Sequence, residues 1–413
     1  MTLFDVFSAA MDRLGPFEPE PRLAAGVSGG ADSMALVLLA REWVQTRGGT
    51  LLALTVDHGL RPGSATEASL VRSWLEDAGI ESRVLRATGL HPGPALAERA
   101  RAVRYQLLTQ ACAEVGVAHL LLGHHRGDQV ETVMMRALSG SASRGLAGMA
   151  AVAETTFVRL LRPMLTVPPE QLRAFLRSGG IAWIEDPSNQ DRRALRARLR
   201  LARADPEGTG IGTQAVAASA RAAGQLRARQ DEAIAQILAE RVAIHPEGYA
   251  VLSPGVIEPH ALAAVMRMIA GRPFAPPMNR VAALAQAMGP ATLGGVRILP
   301  AGRLGSGWLL VREARAMDGP VAACPGAVWD GRFRMVQASQ PTYMDGALMG
   351  ALGEASADYR DRRGPPAVIL RTLPAIRRDG RVIAVPHLGI GDSQWVVLFH
   401  PFNRAACAPF EVG

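Results

Sequence analysis

No lysine occurs in this chain; all 45 of its basic side chains are arginine. That absence removes several chemistries at once. A phosphate-gripping lysine of the Walker type, a lysine Schiff base and a covalent lysyl–nucleotide intermediate are all impossible. Cysteine is nearly as scarce. Cys112, Cys324 and Cys407 lie far apart and no CxxC pair exists, so a disulfide framework, a zinc knuckle and an iron–sulfur site are poorly supported. No run of about 18 uninterrupted apolar residues is found, and no membrane span is expected. The first 15 residues lack the basic start and small-residue cleavage site of a secretion signal and read as a short amphipathic helix. The expectation is a soluble, cytosolic protein.

What is present points to a large folded chain. Hydrophobic residues make up 48% of 413 and charged residues 20%, enough for a sizeable core spread over two or three domains. The net charge of +8 rests on arginine, whose planar fork pairs with phosphate in bidentate fashion. Charge alone does not separate a nucleic-acid partner from a merely basic surface.

The first 200 residues alternate strand and helix signals. Apolar runs at Leu23–Val27, Leu51–Val56, Ser82–Ala87, His119–Gly123 and Thr156–Leu161 predict strands. Helical spacing at Met34–Val44, Ala95–Val115, Asp128–Leu138 and Pro169–Ser178 predicts helices between and after them. Ser64–Glu67 reads as a capping box opening another helix to Ala78. Apolar strands alternating with helices imply a doubly wound parallel sheet covered on both faces, an α/β fold. Asp205–Thr213 reads as a linker. Helices are expected at Ala217–Ala239, Leu262–Ala270 and Val281–Met288. The character becomes β-like after Gly289, with hairpin signals at Asp330-Gly331 and Asp379-Gly380 and strand candidates at Ala367–Leu370 and Val382–Val385. The expected division is a catalytic domain at 1–205, a mainly helical substrate or RNA-binding domain at 210–315, and a small α+β domain at 320–413.

The segment Ser28-Gly29-Gly30-Ala31-Asp32-Ser33 carries the strongest chemical signal. It follows a buried strand and opens a helix. Two glycines let the backbone approach a ligand, and the exposed N–H groups at the helix start favour an anion. Ser28 and Ser33 offer hydroxyls to phosphate oxygens. Asp32 is unfavourable beside a bare polyphosphate but suits a bound Mg²⁺ that bridges phosphates. The plain alternative is an ordinary strand–helix turn with Asp and Ser as caps.

This loop resembles the pyrophosphate-binding loop of PP-loop ATPases, which split ATP into AMP and pyrophosphate. Four further segments narrow the resemblance: VDHGLRPGS (Val56–Ser64), ERARAVRY (Glu98–Tyr105), GHHRGDQVET (Gly123–Thr132) and WIEDPSNQDRRALRARLR (Trp183–Arg200). In this order they are similar to the tRNA(Ile)-lysidine synthetase family, closely over residues 22–200 and loosely thereafter. The resemblance implies ATP and Mg²⁺ as cofactors, with free L-lysine and an isoleucine tRNA bearing a CAU anticodon as partners. It implies a homodimer in some members. The implied reaction adenylates C2–O of the wobble cytidine, releases pyrophosphate, and then lets the amine of lysine displace AMP.

Carried onto this sequence, the resemblance makes Asp32, Arg104, Asp128 and Glu131 catalytic and Asp32 the Mg²⁺ ligand. It makes the loop 28–33, Asp57, His58, Gly123 and His124 the nucleotide contacts. Each has a plainer reading beside it. Asp57-His58-Gly59 can be a simple turn. Arg101 and Arg104 share a helix face with Glu98 and can form surface ion pairs. Asp128 and Glu131, three apart, suit an ammonium group, yet Asp128-Gln-Val-Glu131 also reads as a capping box. The adjacent His124 and His125 lack a third ligand with zinc spacing. Pro187-Ser-Asn189 with Arg192, Arg193, Arg196, Arg198, Arg200 and Arg203 makes a basic segment suited to an RNA backbone or to a solvated helix face, with few aromatic residues for base stacking. Two positions depart from the family pattern: Gly127 replaces an acid, and Ala197 replaces an asparagine.

Other classes remain open on sequence. Another PP-loop modification of tRNA, such as thiolation, calls for paired cysteines. GMP synthesis calls for a glutamine-hydrolysing segment that is not seen. A non-catalytic nucleotide-dependent RNA-binding protein needs only the loop.

Overall fold

The computed structural model describes all residues except 61–62, 92, 94, 142–143, 156, 186–194, 338–345, 407–409 and 413. The chain divides into two compact units, residues 1–229 with 409–413, and residues 230–408.

The first unit begins with helix α1 (Leu3–Leu14), opened by a Thr2/Asp5 capping box and burying Phe7 and Met11. Then follow β1 (Arg22–Gly26), α2 (Ala31–Gln45), β2 (Thr50–Asp57), α3 (Ser64–Asp77), β3 (Glu81–Arg86), α4 (Leu96–Glu114), β4 (His119–Leu122), α5 (Arg126–Leu138), β5 (Val152–Glu154), β6 (Arg159–Leu161), α6 (Pro169–Ser178), α7 (Leu195–Arg203) and α8 (Ile211–Arg241), whose residues from Gln230 on belong to the second unit. The six strands are ordered β3-β2-β1-β4-β6-β5. All neighbours are parallel except the edge pair β5–β6. The expected doubly wound α/β sheet is therefore present. Central strands are apolar on both faces, as all four residues of β4 are buried, whereas the edge strand β3 alternates. One face of the sheet packs on α1, α2, α3 and α6, the other on α4. Helix α2 lies under α6 and buries nearly its whole circumference, including Met34, Leu36 and Leu39. Each such side chain contributes about 1.5–3 kcal/mol.

Several local readings change. Ser64 is the first residue of α3, so its hydroxyl does not cap; Gly63 at φ 89° precedes it with no side-chain cap. The fifth parallel strand shrinks to Arg159–Leu161, and an antiparallel β5 joins it. The Asp205 linker is a structured turn. The Asp205 carboxylate accepts the N–H groups of Thr209 and Gly210, at 3.2 and 3.0 Å, and the Thr213 hydroxyl, fixing the start of α8.

The second unit opens with β7 (Val242–His245), β8 (Tyr249–Leu252), α9 (Pro259–Ala270), α10 (Met278–Gln286), β9 (Ala291–Leu293), β10 (Val296–Pro300) and β11 (Trp308–Arg312). The five strands form an antiparallel sheet ordered β7-β8-β11-β10-β9. The hairpin β7–β8 has no counterpart in the sequence reading. The remainder holds β12 (Val321–Ala322), β13 (Val328–Trp329), β14 (Phe333–Gln337), β15 (Leu348–Ala351), α11 (Ala367–Leu370), β16 (Pro374–Arg378), β17 (Arg381–Ala384) and β18 (Val396–Phe399). These strands form sheets ordered β12-β15-β16-β17 and β13-β14-β18. Both Asp-Gly hairpins form, with positive φ at Asp330, Gly331, Asp379 and Gly380 as their turns require. Ala367–Leu370 is a helical turn with Pro366 at its N-cap, not a strand. Each sheet draws its strands from one side of residue 320, and on that ground we propose a subdivision of the unit there. Yet Tyr249, Leu309 and Val311 share one core with Leu352, Ile369 and Leu373.

Candidate active site at the carboxyl edge of the parallel sheet

Strand order reverses between β1 and β4, and ligands of open parallel sheets bind beyond the carboxyl ends of strands at such a point. The loop Ser28–Ser33 lies there. Gly29 has φ 82°, and a Cβ on it would lie 2.5 Å from Val71 Cγ2, so only glycine fits. Gly30 caps α2 without a side-chain bond. The first amides of α2 are thus positioned for an anion. The two serines differ. Ser33 is buried; its hydroxyl donates to Gly30 O at 2.9 Å and accepts the Ser28 N–H at 3.1 Å. The two hydroxyls lie 3.3 Å apart, so either can donate to the other, and Ser33 braces the loop while Ser28 is the exposed one of the pair.

Gly123, at the exit of β4, meets the first turn of α2. A Cβ there would lie 3.2 Å from Asp32 O and 3.3 Å from Ser33 Cα. This close approach brings α5 to the same edge. His125 caps α5: its Nδ1 accepts the Gly127 N–H at 2.9 Å, and Asp128 Oδ2 accepts the His125 N–H at 3.0 Å. Asp128 is therefore the third helical residue of a capping box headed by His125, not the head of a box ending at Glu131. His125 Nε2 lies 3.5 Å from Asp32 Oδ2 and 3.7 Å from Asp128 Oδ2. Burial opposes charge on His125, but Asp128, Asp32 and Glu131 together hold its pKa above the ordinary imidazole value. With Nδ1 accepting the Gly127 N–H, Nε2 is the nitrogen that carries a proton toward Asp32 and Asp128. Burial also opposes ionisation of Asp128, yet His125, His124, the His125 N–H and Arg196 hold its pKa below the ordinary carboxylate range.

Glu131 differs from Asp32 and Asp128. It is 1% exposed, and Arg200 donates to both its oxygens, at 2.8 and 3.3 Å. Its charge is already matched from α7. The basic segment turns inward in the same way. Arg203 donates to Gly127 O and Asp205 O, and Arg196 acts electrostatically on Asp128 and Arg104. Arg196, Arg200 and Arg203 thus form one face of α7 toward the acids, while Arg198 is exposed. The RNA-backbone reading therefore does not extend to that inner face. Pro187–Asn189, Arg192 and Arg193 lie outside the described residues. Ala197 is buried at 5%, where the usual asparagine would need an amide partner.

A cationic half faces these acids. Arg101 Nη2 donates to the Tyr105 hydroxyl at 3.1 Å, and its guanidinium carbon lies 5.1 Å from the ring centroid. Arg104 stands 5.8 Å from the same centroid, and the Tyr105 hydroxyl acts electrostatically on Arg104 and Arg162. Arg162, 8% exposed at the end of β6, donates to Ala150 O at 2.7 Å. His124 is pushed down to about 4 by burial and by Arg162, Arg101 and Arg104, with Asp128 opposing. His58 is lowered by burial and by Arg104, with Asp57 opposing. Asp57 accepts the Gly59 N–H at 3.0 Å, so the simple turn is real while His58 still reaches the Arg104 side. The sequence reading missed Arg162 and Tyr105. A lone arginine closing the apolar run Leu160-Leu161 at the ligand edge was the available signal.

Residues 6–204 match the PP-loop domain family ATP_bind_3. A tRNA(Ile)-lysidine synthase of Bradyrhizobium sp. is 46% identical over 198 residues, spanning 47% of this chain and 55% of that protein. One from Ruegeria pomeroyi is 35% identical over 395 residues, 91% of this chain and 90% of that protein. One from Mesorhizobium japonicum is 36% identical over 376 residues, 85% and 80% respectively. With a domain-family match over residues 6–204 and similarity along most of the length of two such proteins, the chain belongs to the tRNA(Ile)-lysidine synthase family of PP-loop proteins.

Proposed function

We propose that this protein joins lysine to C2 of the wobble cytidine of a CAU-anticodon isoleucine tRNA, at the expense of ATP. The observation that carries the reading is the meeting, at one sheet edge, of Asp32 of the 28–33 loop and Asp128 of α5 at His125 Nε2, 3.5 and 3.7 Å away. In the first step the C2 oxygen attacks the α-phosphorus and pyrophosphate leaves. In the second, the amine of lysine attacks C2, loses a proton, and AMP leaves with the C2 oxygen. A ring oxygen is a poor leaving group, whereas AMP is a good one. The protein's part is orientation and charge stabilisation.

The α2 amides and the Ser28 hydroxyl would hold phosphate oxygens. Asp32, partly exposed in the first turn of α2, is a hard oxygen donor beside them and fits Mg²⁺, which needs few protein ligands when phosphates supply the rest. Bound there, the ion would neutralise charge developing on the departing pyrophosphate. Asp128, held ionised, would receive the ammonium end of lysine. Glu131, matched by Arg200, would act by fixing α7 against α5. Arg104 and its neighbours, with neutral His124 and His58, would receive a phosphate or the lysine carboxylate. A thiolation reading finds less support. Cys112 is buried with its thiol pushed up to about 11 by burial, Cys324 lies in the other unit, and Cys407 lies outside the described residues. No helix among the described residues is long and apolar enough to cross a membrane. We include assembly as a homodimer, in keeping with some family members, as part of the proposal.

The test is incubation of the purified protein with CAU-anticodon transcript, ATP, Mg²⁺ and labelled lysine. RNA-bound label with stoichiometric AMP supports the reading; absence of label refutes it. Asp32→Asn is expected to abolish Mg²⁺-dependent turnover while RNA binding survives, and unchanged turnover would remove Asp32 from its role.

A further inference from the structure

The second unit carries an aromatic platform that the catalytic reading does not use. Aromatic residues are rare in this chain, at 5%. Even so, Phe274 is 83% and Phe402 74% exposed. Their loops are stitched together. Asn403 Nδ2 donates to Arg272 O at 3.1 Å, and the Phe402 N–H donates to Gly331 O at 3.2 Å. The Asp330-Gly331 turn in turn packs so closely on Gly271 that a Cβ on either Gly271 or Gly331 would overlap the other loop's backbone. Ala275 and Ala405, next to the two phenylalanines' loops, share one core.

Beneath the turn lies a buried ion triad. Asp330 accepts from Arg312 at 3.0 Å through both oxygens and from Arg332 at 2.7 Å, and all three side chains are at most 1% exposed. The triad fixes the turn on which the Phe402 loop hangs. Two exposed rings are thus mounted on a rigid base, which lowers the ordering cost of binding. The surroundings are basic. Arg280 and Arg404 flank the loops and are exposed, while Arg267 donates to Arg404 O and Arg272 is paired with Asp318 at 2.8 and 3.2 Å.

We propose that Phe274 and Phe402 form a stacking platform for unpaired nucleotides of an RNA, with the bordering arginines meeting the backbone phosphates. Flat exposed rings take any base face, and a positive border matches a polyanion. An acidic protein partner would call for the same charge but not for stacking, and a second copy of this chain would bring the same positive charge to the contact. The inference rests on the proposed RNA substrate, but its test does not rest on turnover.

The experiment titrates the full-length protein against fluorescently labelled CAU-anticodon transcript without ATP or lysine, at fixed salt. Phe274→Ala and Phe402→Ala are each expected to raise Kd about 5-fold or more, the range seen for loss of base–aromatic stacking. Phe→Trp at either site should restore affinity, and Phe→Leu should not. Arg404→Ala is expected to lower the salt slope of binding by close to one phosphate. A double alanine variant that binds within twofold of wild type overturns the proposal. So does full affinity with leucine. So does a loss of oligomeric mass by light scattering in the double variant, which assigns the rings to self-association. Wild type that binds the transcript without modifying it defeats the catalytic reading alone.

Discussion

Gly127 is where this chain departs most clearly from its family, and the structure gives that departure a consequence. A Cβ on Gly127 would stand 2.7 Å from His125 Cε1 and 3.0 Å from Nδ1, the atom that accepts the Gly127 N–H. Gly127→Ala adds helix propensity worth up to about 1 kcal/mol in α5. Against this stand overpacking of about 1–3 kcal/mol and loss of a hydrogen bond worth about 1 kcal/mol. The expected net is a destabilisation of about 1–3 kcal/mol, read as a lower urea midpoint at unchanged slope. Displacing the ring by about 1 Å also moves Nε2 away from Asp32 and Asp128, and misplacement of that size lowers turnover by up to about 100-fold. Lysidine formation with labelled lysine reads that effect. Gly127→Asp, which restores the family's usual acid, starts from the same Cβ and is expected to be no better than alanine. Gly212→Ala is the control, since a Cβ there meets nothing within 4 Å, and it is expected to stabilise α8 by up to about 1 kcal/mol. If Gly127→Ala melts above wild type and turns over normally, the ring is not held as described.

Three further outcomes follow from the same geometry. Glu131→Gln is expected to lose about 1–3 kcal/mol in urea melts, below the cost of a fully buried pair because Arg200 is 37% exposed; a double-mutant cycle with Arg200→Gln showing no coupling would contradict the pairing. His124 has a folded pKa of about 4 against an ordinary 6.5. The unfolded chain therefore binds its proton first, so this contribution is whole above pH 6.5 and is lost as pH falls toward 4. The loss amounts to about 3 kcal/mol, and it is expected to vanish in His124→Gln when urea stabilities at pH 7 and pH 4.5 are compared. Tyr105→Phe keeps the ring and removes the oxygen that accepts from Arg101 and acts electrostatically on Arg104 and Arg162. Hydrogen bonds to charged groups contribute about 1.5–3 kcal/mol, so the KM for ATP or for lysine is expected to rise about tenfold or more; unchanged values of both refute the hub.

The parallel sheet was legible because its signals are local and repeated. Apolar runs such as Leu51–Val56 and His119–Leu122 end at glycine or polar residues, and helices follow. The Asp-Gly turns were legible for the same reason, since positive φ at two successive residues narrows the residue choice. The site was legible only as a collection of motifs. Ser33, Asp128 and Glu131 carry roles set by partners remote in sequence or by a cap one turn away. Ser33 turns back on its own loop, Asp128 answers His125, and Glu131 is matched by Arg200, 69 residues on. Spacing within a helix shows which residues share a face but not what that face meets. Hairpin β7–β8 was missed because its four-residue strands are too short for alternation to register.

The missing lysine takes on meaning from this arrangement. Asp32 and Asp128 each sit in the first turn of a helix, where the helix dipole favours a carboxylate. Arg101, Arg104 and Arg162 gather around one phenol on the other side. In the proposed function, anion binding falls to backbone amides and to guanidinium groups, which stay protonated and are poor nucleophiles. On the proposed reaction, adenylation turns C2 of the cytidine into an electrophile that any unprotonated primary amine can attack. A lysine in this cluster would do the electrostatic work of an arginine and would also compete for that carbon. With no amine-bearing side chain anywhere in the sequence, attack falls to the amine that the acidic half selects from solution.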